Sequence, residues 1–93
     1  MPSDYTVEAL PVVDKDLDRL SRQMQTRILD RMEALAENPR PSGAEPIKGH
    51  PGHYRVRVGD YRVVYGVDDE ARIVTVVIVA HRRDVYDRME RRL

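Results

Sequence analysis

The sequence predicts a single α+β domain over residues 1–93, with the element order β-α-α-β-β-β-α. Three observations carry that prediction. An apolar stripe at helical spacing runs from Val13 to Leu35, a Pro- and Gly-rich break follows Asn38, and the second half consists of alternating or β-branched runs up to Ala80. Ninety-three residues suffice for one hydrophobic core and are too few for two domains.

The first strand is short. Tyr5, Val7 and Ala9 alternate with Thr6 and Glu8 until Pro11 stops the run. Val13, Leu17, Leu20, Met24, Ile28, Met32 and Leu35 then recur at steps of three and four, with Asp14, Asp16 and Asp18 favouring a helix start and Asn38-Pro39 an end. One helix of about 25 residues would be roughly 38 Å long. A compact chain of this size has a radius of gyration near ~12 Å, so a break at Ser21–Gln23 into two antiparallel helices is expected. The methionines of the stripe are read as core filler. From Asn38 to His53 the chain holds four prolines and three glycines and is expected to be a long loop of the kind that carries function.

Tyr54–Val58 and Tyr61–Val67 read as a hairpin closed by Gly59-Asp60, Asp68–Ala71 as the next turn, and Ile73–Ala80 as an inner strand covered on both faces. Asp84 is placed to cap a closing helix that carries Val85, Met89 and Leu93. With a two-residue loop, Val58 opposes Tyr61, Arg57 opposes Arg62, Val56 opposes Val63 and Arg55 opposes Val64. Val56, Val58, Tyr61, Val63 and Tyr65 then share one face, and Arg55, Arg57 and Arg62 the other. Carried through the second turn, the register pairs Val67 with Arg72, Val64 with Thr75 and Arg62 with Val77. Thr75, Val77, Val79 and His81 would then join the arginine face, with Arg82 and Arg83 leaving the sheet beside it and Tyr86 one helical turn later.

Composition narrows the chemistry. There is no cysteine, which excludes disulfides, thiolate metal sites and cysteine nucleophiles. Met1-Pro2-Ser3-Asp4 has no basic or apolar run, so no signal peptide is expected, and Ile73–Ala80 is far short of the ~20 apolar residues of a membrane helix. Sixteen basic and sixteen acidic side chains sum to zero, at first sight an argument against a nucleic-acid partner. The sum hides a division: residues 1–45 hold six basic and nine acidic side chains (net −3), and residues 46–93 hold ten and seven (net +3). Fourteen of the sixteen cations are Arg, which suits forked recognition of phosphate, although a GC-rich genome produces the same bias.

Directly opposed arginines destabilise a sheet. A fold tolerates Arg57 against Arg62 if solvent screens them, if an acid lies between, or if the face receives an anion. A solvated face with scattered cations is the alternative. Asp68, Asp69 and Glu70 read as a solvated turn, and His50 and His53 lack the Cys or acid partners of a zinc site. No phosphate-binding Gly loop or Gly-x-Ser-x-Gly elbow occurs. What remains suits RNA: guanidinium forks for phosphoryl oxygens, a histidine to move a proton, and a tyrosine ring to stack on a base. RNA brings its own nucleophile, the 2′-hydroxyl.

The segment Gly49–Tyr86, with Tyr54-Arg55-Val56-Arg57-Val58-Gly59-Asp60-Tyr61-Arg62-Val63-Val64-Tyr65 and His81-Arg82-Arg83-Asp84-Val85-Tyr86, resembles the RelE-type toxins of the RelE/ParE superfamily. The resemblance implies a helical hairpin packed on a mainly antiparallel four-stranded sheet. It implies metal-independent cleavage of messenger RNA in the ribosomal A site by 2′-hydroxyl attack, with no cofactor, in the cytoplasm. By position, Arg55 and Arg57 match two basic strand residues, one of which is often lysine and proposed as general base. Arg62 matches the arginine on the scissile phosphate, Arg82 the arginine that stabilises the transition state or acts as acid, and Tyr86 the tyrosine that stacks on the substrate. Lys48, Arg55, Arg62 and Arg83 are expected to bind the RNA backbone. Because a guanidinium does not readily give up its proton, Arg55 and Arg57 would act electrostatically, or His81 would take a proton-transfer role. The implied partners are the ribosome, the message and a cognate antitoxin, the toxin alone being a monomer and no membrane being involved. The alternatives are a ParE-type inhibitor of gyrase and a degenerate member that only binds its antitoxin.

Overall fold

A computed structural model describes residues 4–93; Met1, Pro2 and Ser3, on which the reading of the amino terminus rests, lie outside the described residues. The order is β1 (Thr6–Ala9), α1 (Pro11–Asp18), α2 (Arg22–Ala34), β2 (Glu45–Pro46), β3 (His53–Val58), β4 (Tyr61–Asp68), β5 (Ile73–His81) and α3 (Val85–Arg92). The sheet runs β1-β5-β4-β3-β2, with β1 parallel to β5 and the other pairs antiparallel. It has five strands rather than four. The extra one, β2, is a two-residue ladder inside the stretch read as loop, too short for any periodicity to announce it.

The helical stripe breaks where the length argument puts the break. Ser21 takes an extended backbone and its Oγ accepts the Met24 amide at 3.1 Å, starting α2. Pro11 occupies the first position of α1, where its fixed φ suits a helix and its missing N–H costs nothing. The three aspartates therefore lie within or at the end of α1 rather than before it. At the other end Asp84 holds the N-cap position of α3 without a side-chain cap bond.

The first hairpin has the register the Gly59-Asp60 turn dictates, Arg57 against Arg62 and Val58 against Tyr61. Gly59 makes it possible with a φ of 58°, in the left-handed region. The second hairpin differs. β4 runs on to Asp68, which pairs with Ile73, while the Asp68 carboxylate accepts the amides of Glu70 and Ala71 at 3.1 and 3.0 Å and so closes its own turn. A β-bulge at Val64/Tyr65 shifts the ladder again. Arg62 consequently opposes Ala80 rather than Val77, and Val64 opposes Ile78 rather than Thr75. A displacement of three residues is odd, so it reverses the faces of the end of β5. Val79 packs with the helical hairpin, whereas Ile78 and Ala80 join the arginine side; Val77, at the bulge, stays on that side as expected.

Two apolar clusters result, and β5 is covered by both. The larger lies between the sheet and the α1–α2 hairpin, with Val13, Ile28, Leu35, Val56, Val63 and Tyr65 fully or almost fully buried. Tyr65 donates to the Pro39 carbonyl at 2.7 Å, which fixes the exit from α2, and burial pushes its phenol up to about 12. The smaller cluster forms where Val85 and Met89 of α3 cover Val64, Ile78 and Ala80. Asp69 is not merely solvated: it accepts from the Tyr5 hydroxyl at 2.6 Å and from Arg40 at 2.8 and 3.2 Å, tying the chain after α2 to the β4–β5 turn. Among the described residues no helix is long and apolar enough to cross a membrane.

β1 stops opposite Val76, which leaves the last five residues of β5 with an edge that β1 does not pair. Asp16, 5% exposed, covers it from α1. Its carboxylate accepts the Val79 amide at 3.1 Å, Arg92 at 2.8 and 3.0 Å and Arg88 at 3.1 Å, and Arg92 also donates to the Val77 carbonyl at 3.0 Å. Burial alone would raise the Asp16 carboxyl. The hydrogen bonds from Arg92 and Val79 and the two guanidinium charges outweigh it and hold the carboxyl below its usual range. Its stabilising effect is therefore present above the unfolded carboxylate value, about 3.9, and fades as pH falls through the lower folded value. Asp16→Ala, which leaves two guanidinium groups and a strand amide without their acceptor, should cost about 3 kcal/mol by urea denaturation at pH 7. The gap from wild type should narrow as the pH is taken below ~4; a gap that stays constant to pH 2 would show that the charge of Asp16 contributes nothing.

Candidate nucleic-acid interface

The arginine face is built by alternation along β3 and β4, and the Gly59 turn brings its members together. Arg57 and Arg62 are opposed across the hairpin. Arg62 is half-buried, its Nη1 donating to the carbonyls of Tyr61 at 3.0 Å and Gly59 at 3.3 Å. Burial, followed by the like charges of Arg57, Arg55 and Arg82, lowers its pKa from the usual guanidinium range, with Asp60 the opposing influence. Arg62 thus lies within the influence of three other guanidinium groups, of which Arg55 is paired with Glu45 and Arg82 lies near Asp60. Arg62 stays charged at neutral pH, and forked guanidinium groups of this kind are suited to binding phosphoryl oxygens.

Arg55 is held more fully. Its Nε and Nη2 both lie 3.1 Å from Oε1 of Glu45, its Nη1 donates to the Tyr86 hydroxyl at 2.7 Å, and its guanidinium carbon sits 5.7 Å from the Tyr86 ring centroid. The Tyr86 bond chiefly, and Glu45 after it, raise the Arg55 pKa against the effect of burial. Tyr86 itself is 60% exposed on the first turn of α3. Lys48, exposed, lines with Arg55, Tyr86 and Met89 a groove of about 410 Å³. Arg82 is exposed; its amide donates to the Asp60 carbonyl at 2.8 Å and its Nε lies 3.9 Å from an Asp60 carboxylate oxygen. Among the described residues Lys48, Arg57 and Arg83 make no side-chain hydrogen bond or ion pair, and Arg83 projects into solvent.

His81 is the exception. Expected on the arginine face, it pairs with Tyr61 and packs edge-on against that ring with centroids 5.4 Å apart, on the side of the helical hairpin. The bulge and the longer β4 ladder turn it there, and its Nδ1 accepts the Arg83 amide at 3.1 Å. Its neighbours across a small cleft are Asp16, Arg19 and Arg88, not Arg55 or Arg62.

The residue that the sequence does not reveal is Glu45. It opposes Arg55 in the β2–β3 ladder and so shares the arginine face, bringing a carboxylate to a surface that otherwise holds cations. Its one signal is a lone acid between Ala44 and Pro46, indistinguishable from a solvated loop residue.

A helical hairpin on one side of a five-stranded sheet, a short helix on the other and an arginine cluster at the first β-turn define a small cation-faced α+β protein. The family described as "ParE toxin of type II toxin-antitoxin system, parDE" matches over residues 7–86. A putative toxin RelE1 of Methanocaldococcus jannaschii is 32% identical over 85 residues, which is 88% of this chain and 94% of that protein. Toxin RelG of Mycobacterium tuberculosis is 29% identical over 85 residues, covering 90% and 98%. In the crystal structure of the archaeal RelE–RelB complex from Pyrococcus horikoshii, the matching chain is 28% identical with a TM-score of 0.75, over 84% of this chain and 94% of that one. The chain belongs to the RelE/ParE superfamily of toxins of type II toxin–antitoxin systems.

If the side on which His81 lies decides its part, His81→Gln should leave the pH dependence of any activity of the arginine face unchanged. Loss of a limb near pH 6–7 in that variant would contradict the separation of the two faces.

Proposed function

We propose that this toxin is a ribosome-dependent endoribonuclease that cleaves messenger RNA in the ribosomal A site without a metal ion and so stops translation. The observation that carries this reading is the gathering of Arg55, Arg57 and Arg62 on one sheet face, Arg57 directly opposed to Arg62, with Arg82 next to the same hairpin and an exposed tyrosine beside Arg55. In this reading the 2′-oxygen of the message attacks the adjacent phosphorus and the bond to the 5′-oxygen breaks, leaving a 2′,3′-cyclic phosphate and a 5′-hydroxyl. Arg57 and Arg62 meet the charge that builds on the phosphoryl oxygens, and Arg82, at the exposed edge, stabilises the departing oxygen as it takes a proton from solvent. Tyr86 stacks on a base and holds the 2′-hydroxyl in line. Lys48, Arg55 and Arg83 bind the flanking backbone. The proton of the 2′-hydroxyl goes to Glu45, since a carboxylate accepts protons and the arginines do not.

The Pyrococcus horikoshii relative was solved with RelB. By that likeness we read the present chain as a cytoplasmic monomer that is neutralised in a hetero-oligomer with a cognate antitoxin. The description of the matching family as a ParE toxin supports a second reading, inhibition of gyrase. A gyrase inhibitor has no need to gather cations against one another on a single face, and for that reason the nuclease is preferred.

Cleavage of a message programmed into ribosomes tests the assignment. Arg62→Ala and Arg82→Ala should each lose at least ~10²-fold in single-turnover rate, the scale for removing one transition-state donor. Glu45→Gln should lose ~10²- to 10⁴-fold, the range for a general base. Arg72→Ala, at the turn between Asp68 and Ile73 at the opposite end of the sheet, should stay close to wild type. Equal rates for all four variants and wild type would remove the chemistry from this face.

A further inference from the structure

β2 covers the edge of β3 at Tyr54 and Arg55 and no further. Beyond that point, beside Arg57 and Val58, a groove of about 520 Å³ opens between the strand and α2. It is lined by Arg27, Asp30 and Arg31 from α2 and by Arg57 from β3, three guanidinium groups against one carboxylate. Arg27 and Arg31 are four residues apart and so share a side of the helix. Neither makes a side-chain hydrogen bond or an ion pair among the described residues, and Arg31 Nε is buried with no acceptor. Arg27 reaches the Gly59 turn, where its Nη1 lies 3.4 Å from the position a Cβ would take. Arg57 belongs to both surfaces: it closes this groove and it opposes Arg62 on the reaction face. Arg57 thus links the arginine face to the cations of α2.

We propose that this groove is a second phosphate subsite, in which Arg27 and Arg31 hold the backbone of the same RNA strand at a nucleotide away from the cleaved bond. The inference rests on the nuclease reading and adds to it where the strand runs. Continuity through Arg57 favours one RNA spanning both surfaces. The sparse apolar lining, Ala34 and Val58, offers little for a protein segment to bury. A positively charged groove of this kind tracks a single strand without reading its sequence.

The test is the affinity of wild type, Arg27→Gln and Arg31→Gln for ribosomes carrying a message with 2′-O-methyl groups at the cleaved codon, measured over a range of salt concentrations. Each substitution should lower the slope of log affinity against log salt by ~0.7, one phosphate contact on a single strand, while cleavage of unmodified message at saturating ribosome stays within about twofold of wild type. Arg27 is exposed, so Arg27→Gln keeps the test if Arg31→Gln proves unstable. Equal slopes with wild-type cleavage intact overturn the subsite and leave the nuclease reading standing. Unchanged slopes with weakened antitoxin binding assign the groove to a protein partner and also overturn it. A wild type that neither binds nor cleaves overturns the nuclease reading and the subsite with it.

Discussion

The carboxylate of Asp16 stands where a strand should be. β1 ends at Ala9, and the edge of β5 beyond Val76 would otherwise present its amide and carbonyl to the underside of α1. Asp16 accepts the Val79 amide, and Arg92, anchored on Asp16, donates to the Val77 carbonyl, so two side chains complete the ladder. Because Arg88 and Arg92 come from α3 and Asp16 from α1, the same contact joins the layers on opposite faces of the sheet. The position of α3 decides where Tyr86 stands, and Arg55 hydrogen-bonds to Tyr86. A buried ion pair is a poor source of stability when compared with an apolar core. Its value here is specificity of placement: a short helix covering Val64, Ile78 and Ala80 by Val85 and Met89 alone could slide along an apolar strip, whereas one bound through two guanidinium groups cannot.

The second constraint is repulsion. A net charge of zero arises from an acidic helical half and a basic sheet half, and the first β-hairpin concentrates the basic excess by opposing Arg57 to Arg62. Arg57 is exposed to solvent while Arg62 is half-buried, so solvent screens the pair from one side. No acid is interposed: Glu45 is paired to Arg55, and Asp60 reaches Arg82 at only 3.9 Å. The proposed RNA phosphate would bring to this face the anion that it lacks. What a neutral total gives up is long-range steering, so encounter with a polyanion depends on contacts made at short range.

The sequence carries most of the fold and about half of the site, and the division follows from how far each feature depends on neighbours in the chain. The Gly59-Asp60 hairpin is legible because a two-residue turn leaves one register, and with it the shared face of Arg55, Arg57 and Arg62. The split of the helical stripe is legible from chain dimensions, the radius of gyration being 12.4 Å. The β4–β5 register is not, since Asp68 closes a turn of its own and a bulge at Val64/Tyr65 adds a residue; His81 changes face as a consequence. Glu45 and Asp16 escape for a different reason. Glu45 is a lone acid and Asp16 one of three alternating aspartates, and the part of each is set by residues 10 to 76 positions away, which the local pattern does not record.

The most direct measurement is a map of RNA 5′ ends across the transcriptome after induction of the toxin in growing cells. Cleavage by the arginine face in the ribosomal A site predicts new 5′-hydroxyl ends within translated codons and none in untranslated RNA, and their disappearance with Arg62→Ala. Intact messages accompanied by DNA damage would contradict it and assign the toxin to gyrase.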